Sequence, residues 1–150
     1  LQPFGVTVLA YDKYNSGFAR DYIKEANLEQ VGRYADVISF HVPLTDETYH
    51  MADKIFFDAL EQRPVLLNAS RGKVLCLPDL VMALQENKIT GAGLDVLENE
   101  NINELPEAEQ ARLNWLLQQP NVIITPHIAG YSQEAFYKMA AVLLGKLGLH

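Results

Sequence analysis

A chain of 150 residues has the length of one ordinary domain, and 49% apolar against 21% charged residues is a globular composition. Nineteen acidic against 12 basic residues give a net charge of -7; with no block of like charge, this argues against nucleic-acid or anionic-membrane partners, and no apolar run approaches the ~20 residues of a membrane span. The single cysteine, Cys76, excludes an intrachain disulfide. No His/Cys cluster has metal-ligand spacing, so we expect no metal site and a reducing, cytoplasmic compartment.

The first strand is expected over residues 6–11, where branched apolar residues stand between turn formers. Helical spacing comes next over Leu28–Tyr34, then a strand over 37–41, a helix over 53–60 and a strand over Val65–Asn68. In the helix expected over 78–86, Leu80, Val81 and Leu84 share a face. A weaker strand is expected at 91–96. Residues 101–118 begin with a polar lead-in and continue as a Glu/Gln-rich helix from Pro106, which reads as an inserted helical loop. A strand over 122–125 and a helix over 133–149 complete the chain. The strands are nearly continuous in apolar residues, as strands covered on both faces are. Their alternation with helices predicts an α/β domain built on an open, doubly wound parallel sheet. No internal repeat, linker or second domain boundary is visible.

Ligands of such sheets bind beyond the carboxyl ends of the strands, so the strand ends carry the functional reading. Asp12 follows the first strand, where an acidic residue accepts ribose hydroxyls in dinucleotide folds and repels a 2'-phosphate; it serves equally as a turn former. His41 precedes Val42 and Pro43, which stop the second strand, and Thr45 is placed to cap the next segment. Arg71 lies on a loop of small residues, poised to fork onto a carboxylate or to stand in solvent. Asp95, Glu98 and Glu100 put three carboxylates within six residues after the fourth strand. His127 follows the fifth. Its imidazole suits proton transfer near neutrality, and a carboxylate beside it would orient the ring and favour its charged form.

Four segments occur in order: residues 36–48 (DVISFHVPLTDET), 67–74 (LNASRGKV), 91–100 (GAGLDVLENE) and 125–130 (TPHIAG). In these the chain resembles the D-isomer-specific 2-hydroxyacid dehydrogenases. The resemblance implies a partial doubly wound, Rossmann-like, mostly parallel sheet with helices on both faces, and an NAD-dependent oxidoreductase acting on a small D-2-hydroxy or 2-oxo acid such as D-lactate or 3-phosphoglycerate. Arg71 would hold the substrate carboxylate and carbonyl, His127 would exchange a proton with the C2 oxygen, and Glu100 would bond the imidazole. Asp12 would bind the adenosine ribose, while Val42, Pro43, Ala69, Asp95, Ala129 and Gly130 would line the nicotinamide cofactor. Glu98, Asn99 and Cys76 receive no role. Tyr131 stands near the substrate or packs at a helix start. The family likeness also implies a homodimer.

The chain departs from that pattern in one respect: it contains no GxGxxG, the loop whose backbone N–H groups cradle a pyrophosphate. The 150 residues therefore read as the carboxyl-terminal part of a dinucleotide-binding domain, lacking the substrate domain and inactive alone. Such a sheet would lack its central strand, so residues 6–11 are expected to pair with a non-native neighbour, for instance from a second copy, unless a preceding segment supplies one. A non-catalytic NAD-sensing protein on the same scaffold is the alternative function, because fold does not dictate chemistry. A structural or interaction module without a ligand is a third.

Overall fold

A computed structural model describes residues 1–148. Its strands are β1 (Val8–Ala10), β2 (Ile23–Glu25), β3 (Val37–Phe40), β4 (Val65–Asn68), β5 (Gly91–Leu94) and β6 (Val122–Ile124). Its α-helices are α1 (Leu28–Tyr34), α2 (Lys54–Asp58), α3 (Leu77–Gln85), α4 (Glu107–Leu117) and α5 (Gln133–Lys146). The expected elements are all present, trimmed by one or two residues at several ends; position 149 of the expected last helix lies outside the described residues. Capping fixes several helix starts. Asn27 and Gln30 exchange side-chain and backbone hydrogen bonds at the start of α1, Asp53 accepts from the Phe56 N–H, and Ser132 accepts from the Ala135 N–H.

Strands β3 to β6 form one parallel sheet in chain order. The register aligns Phe40 with Asn68, Asn68 with Leu94, and Leu94 with Ile124. All four strands thus end in a single row, and the loops after them leave from one edge. The core joins Ile38, Phe40, Leu66, Ala92 and Leu94 of the sheet to Phe57 of α2, Leu80, Val81 and Leu84 of α3 and Leu116 of α4. Leu66, Leu80 and Leu116 have no exposed surface; each such burial contributes about 1.5–3 kcal/mol.

Three expectations are corrected. Residues 101–118 are not an inserted loop: α4 packs on α3 and β6, and its buried Leu113 and Leu116 complete the core. Burial of both faces does not hold along every strand. In β3, Ile38 and Phe40 are buried while Val37 and Ser39 are exposed, and Leu67 and Ile123 are exposed on β4 and β6. Finally, β1 pairs in parallel with β2 of the same chain, Val8 opposite Ile23 and Ala10 opposite Glu25. The second strand escaped notice because a Lys and a Glu occupy two of its three positions.

Candidate active site

The loop after β4 is shaped by Asn68, whose side chain is almost wholly buried. Its Oδ1 accepts the N–H and hydroxyl of Ser70 at 3.1 and 2.9 Å, and its Nδ2 donates to the Arg71 carbonyl at 3.0 Å. These bonds set the backbone on either side of Arg71, which is itself exposed and folds its Nη1 onto the Ser70 carbonyl at 2.7 Å. Gly72 then lies against the next loop so closely that a Cβ there would stand 1.8 Å from the Leu97 carbonyl oxygen. Only glycine permits that approach.

Asp95, the first residue after β5, is buried and turned toward the loop after β6. Its Oδ1 accepts the Thr125 hydroxyl at 2.5 Å and the Ile128 N–H at 2.9 Å, and its Oδ2 accepts the Ala129 N–H at 2.8 Å. The Thr125 hydrogen bond first, and then the two backbone donors, hold the Asp95 carboxyl below its ordinary value of 3.8 against the opposing effect of burial. The carboxylate therefore stays ionised near neutrality and pins the turn carrying His127. That turn is tight: His127 has a φ of 54°, in the left-handed region.

His127 and Glu100 meet. Both oxygens of the Glu100 carboxylate lie 3.1 Å from the imidazole Nδ1, with each side chain about half exposed. Nδ1 is thus engaged from the protein side, and Nε2 has no hydrogen-bond partner among the described residues. An imidazole held in this way presents one nitrogen to an incoming oxygen atom. Arg71 makes no hydrogen bond or ion pair with the two; the adjacency of β4, β5 and β6 brings the three residues to one edge on neighbouring loops.

The residues expected to line a cofactor occupy the same row. Val42 and Pro43 succeed β3, Ala69 succeeds β4, and Ala129 and Gly130 succeed β6, with the last four exposed. Space lies open at Gly130, where a Cβ would meet nothing within 4 Å. Asp12, after β1, accepts the N–H groups of Tyr14 and Asn15 and the Asn15 side-chain amide at 2.8–3.0 Å. Those bonds, the Asn15 amide foremost, hold its carboxyl below 3.8, leaving an exposed anion able to accept hydroxyl donors. The small residues at the strand ends of the larger sheet suit a flat ring, and the Asp12 carboxylate, after β1 of the separate β1–β2 pair, suits a ribose.

Several other expectations resolve locally. Thr45 caps no helix: the Thr48 hydroxyl instead donates to the Pro43 carbonyl at 2.6 Å and accepts the Thr45 N–H at 2.8 Å. His41 bonds the Ser39 hydroxyl through Nε2 at 2.9 Å. The Tyr131 ring packs edge-on against Phe136, 5.2 Å between centroids. Partial burial pushes the Cys76 thiol up to about 11, so it is protonated near neutrality and a poor nucleophile. The supporting roles of Asn68 and Thr125 went unread. Asn before two small residues is an Asx-turn signal that could have revealed the first.

A family model for the D-isomer specific 2-hydroxyacid dehydrogenase, NAD binding domain, matches residues 1–129. Among curated proteins, a D-lactate dehydrogenase of Staphylococcus aureus is 35% identical over 137 residues, 88% of this chain and 42% of that protein. A D-lactate/D-glycerate dehydrogenase of Pediococcus acidilactici is 35% identical over 95% of this chain and 45% of its own. Among solved structures, D-lactate dehydrogenase from Aquifex aeolicus, complexed with NAD and lactic acid, superposes with a TM-score of 0.85 at 31% identity, covering 98% of this chain and 46% of that one. The chain thus spans less than half the length of these relatives. With the family model matched over most of its length and the four strand-end motifs gathered at one edge, the chain belongs to the D-isomer-specific 2-hydroxyacid dehydrogenases.

Proposed function

We propose that the chain is the carboxyl-terminal part of the cofactor-binding domain of an NAD-dependent D-2-hydroxyacid dehydrogenase that interconverts a small 2-oxo acid and its D-2-hydroxy acid, with pyruvate and D-lactate as the favoured pair. The observation that carries this reading is the His127–Glu100 pair, standing at in-register strand ends beside the Arg71 loop. Arg71 swings from the Ser70 carbonyl to fork onto the substrate carboxylate. Protonated His127, its charge steadied by Glu100 through Nδ1, hands the Nε2 proton to the C2 oxygen as charge gathers there and is left as neutral imidazole. Oxidation reverses these roles, with neutral His127 accepting the proton. NAD, when bound, supplies or receives the hydride at C2; Asp12 accepts its ribose hydroxyls, and Val42, Pro43, Ala69, Ala129 and Gly130 flank it. Asp95 acts on that site from beneath, by holding the turn that carries His127, Ala129 and Gly130.

The relatives' names support lactate-sized acids, and the Asp12 anion supports NAD over its 2'-phosphorylated form. A cytoplasmic homodimer is the assembly we favour: a single cysteine with no partner for an intrachain disulfide suits a reducing compartment, and the apolar exposed residues of α5 suit burial against another surface. Among the described residues no helix is long and apolar enough to cross a membrane.

Steady-state turnover of the full-length protein with pyruvate, hydroxypyruvate and 3-phosphohydroxypyruvate, each with NADH and NADPH, tests the assignment. We expect D-lactate from pyruvate with NADH, and a fall in kcat of about 10²–10⁴-fold in His127→Gln. NADH binding without turnover of any 2-oxo acid would establish the non-catalytic alternative, and the absence of both would leave an interaction module.

A further inference from the structure

A second His–Glu pair draws its carboxylate from the same loop as the first. His50 Nε2 stands 2.6 Å from Glu98 Oε1, with both side chains about a quarter exposed, and the other oxygen, Oε2, accepts the Leu77 N–H at 3.1 Å. The two oxygens of Glu98 therefore reach two different segments. One is the start of α3, where Cys76 provides no side-chain cap and Glu98 satisfies an otherwise free helix N–H from a distant loop. The other is the 45–52 segment, itself stitched to the strand-end loop of Arg71: the His50 N–H donates to the Lys73 carbonyl at 2.8 Å and the Ala52 N–H to the Val74 carbonyl at 3.0 Å. His50 has a φ of 50°, uncommon for a non-glycine residue, and its ring stacks on Tyr49 at 4.0 Å between centroids. A strained backbone and a stacked ring together aim Nε2 at Glu98.

The position of Glu98 gives this contact its consequence. It is two residues before Glu100 and one after Leu97, whose carbonyl is in van der Waals reach of Gly72, next to Arg71. Asp95 anchors the start of the same loop to the His127 turn. Beyond Glu98 the carboxylate of Glu100 has no tie among the described residues except His127 itself. We propose that His50 and Glu98 are positioning residues: they clamp residues 97–100 against the Arg71 loop and so fix where Glu100 meets His127. This rests on the dehydrogenase reading for its effect on turnover, but the clamp is a geometric statement that can be tested without it.

The test uses the full-length protein and four variants: Glu98→Ala, Glu98→Gln, His50→Asn, which tolerates the left-handed backbone but falls short of Glu98, and the double variant His50→Asn/Glu98→Ala. Amide hydrogen exchange reads the clamp directly, and steady-state kinetics read its effect. Glu98→Ala and His50→Asn should each speed exchange at the Leu77 and Ala52 amides, which donate to Glu98 and to the Val74 carbonyl, while β5 stays protected. Each should lower kcat about tenfold, leaving the KM for NADH within about twofold. Because both remove the His50–Glu98 contact, and Glu98→Ala removes the Leu77 bond besides, the double variant should lose no more than Glu98→Ala alone. Glu98→Gln keeps an acceptor for Leu77 and an amide within reach of His50, and should restore most of kcat. Unchanged exchange at Leu77 and Ala52 in both disrupting variants, or multiplicative losses in the double variant, would overturn the clamp. An inactive wild-type protein whose variants nonetheless exchange faster at Leu77 and Ala52 would sink the dehydrogenase reading and keep the clamp.

Discussion

The sheet of β3 to β6 and the pair of β1 and β2 are both parallel and built from strands of three or four residues, yet they hold their functional side chains by different means. On the larger sheet, buried polar groups reach across from strand end to strand end: Asn68 shapes the Arg71 loop, and Asp95 ties the loop after β5 to the turn of His127. On the smaller one no residue is buried, and Asp12 is held only by its own Asx turn with Tyr14 and Asn15. The link from that turn to the rest of the molecule is an exposed clasp, in which Lys13 and Tyr14 both bond the Glu47 carboxylate in the loop after β3. The end that would carry proton transfer is thus preorganised by buried carboxylate and amide groups, and the end that would hold a ribose is left adaptable. Preorganisation matters most where charge develops, and least where a hydroxyl is bound.

The most damaging way to break the comparison is to empty the core beneath the larger sheet. Leu66→Ala, at a side chain with no exposed surface, should cost about 2–5 kcal/mol, whereas Ile123→Ala, on the exposed face of β6 at 69% exposure, should cost within about 0.5 kcal/mol. Urea unfolding of the full-length protein measures both, and similar losses would mean that a further segment covers the outer face. Next in size is Gly72→Ala. Its Cβ would collide with the Leu97 carbonyl, so the loops of Arg71 and Glu100 must part. We expect a fall of about 10²-fold in kcat/KM for the 2-oxo acid, of the order seen when reacting groups are displaced by an ångström. The KM for NADH should hold.

Most of the fold was legible because it rests on apolar runs with clear periods. The strands over 37–41, 65–68 and 122–125 and the helix of Leu80, Val81 and Leu84 declare themselves by residue type alone. What stayed hidden depends on context. In α4 two buried leucines sit in a helix that is polar in composition, and β2 is a strand by pairing with β1 and not by propensity. At the site, residue type and placement after a strand single out Arg71, His127 and an acidic loop, since few groups can bind a carboxylate or move a proton; only the family resemblance selects Glu100 among that loop's three carboxylates. What residue type and position do not reveal for Asp95 is that its oxygens bond Thr125, Ile128 and Ala129. A hydrogen bond spanning more than thirty residues leaves no local trace in the chain, and the His50–Glu98 contact escaped for the same reason.

The comparison is sharpened, with smaller effects, by removing charge on each side of it. In Asp95→Asn one acceptor oxygen becomes a donor facing N–H groups that also donate, so the His127 turn must loosen; kcat should fall about tenfold or more, of the order by which hydrogen-bonding supports of a reacting group act. The variant also has a pH signature. Because the folded Asp95 carboxyl lies below its unfolded value of 3.8, its stabilising contribution is fully present above that value and is lost as the pH falls through the lower folded value. Acid unfolding of the wild type should therefore carry a component below pH 3.8 that Asp95→Asn lacks, and identical acid transitions would show that the carboxylate's bonds are not retained in solution. Glu47→Gln is the control on the adaptable side: it weakens an exposed clasp and should leave unfolding and kcat unchanged, with the KM for NADH altered by no more than about twofold. A large fall in kcat from Glu47→Gln, matching that of Asp95→Asn, would mean that the Asp12 turn is as rigidly required as the turn of His127. The contrast between a preset catalytic edge and a yielding ribose edge would then be gone.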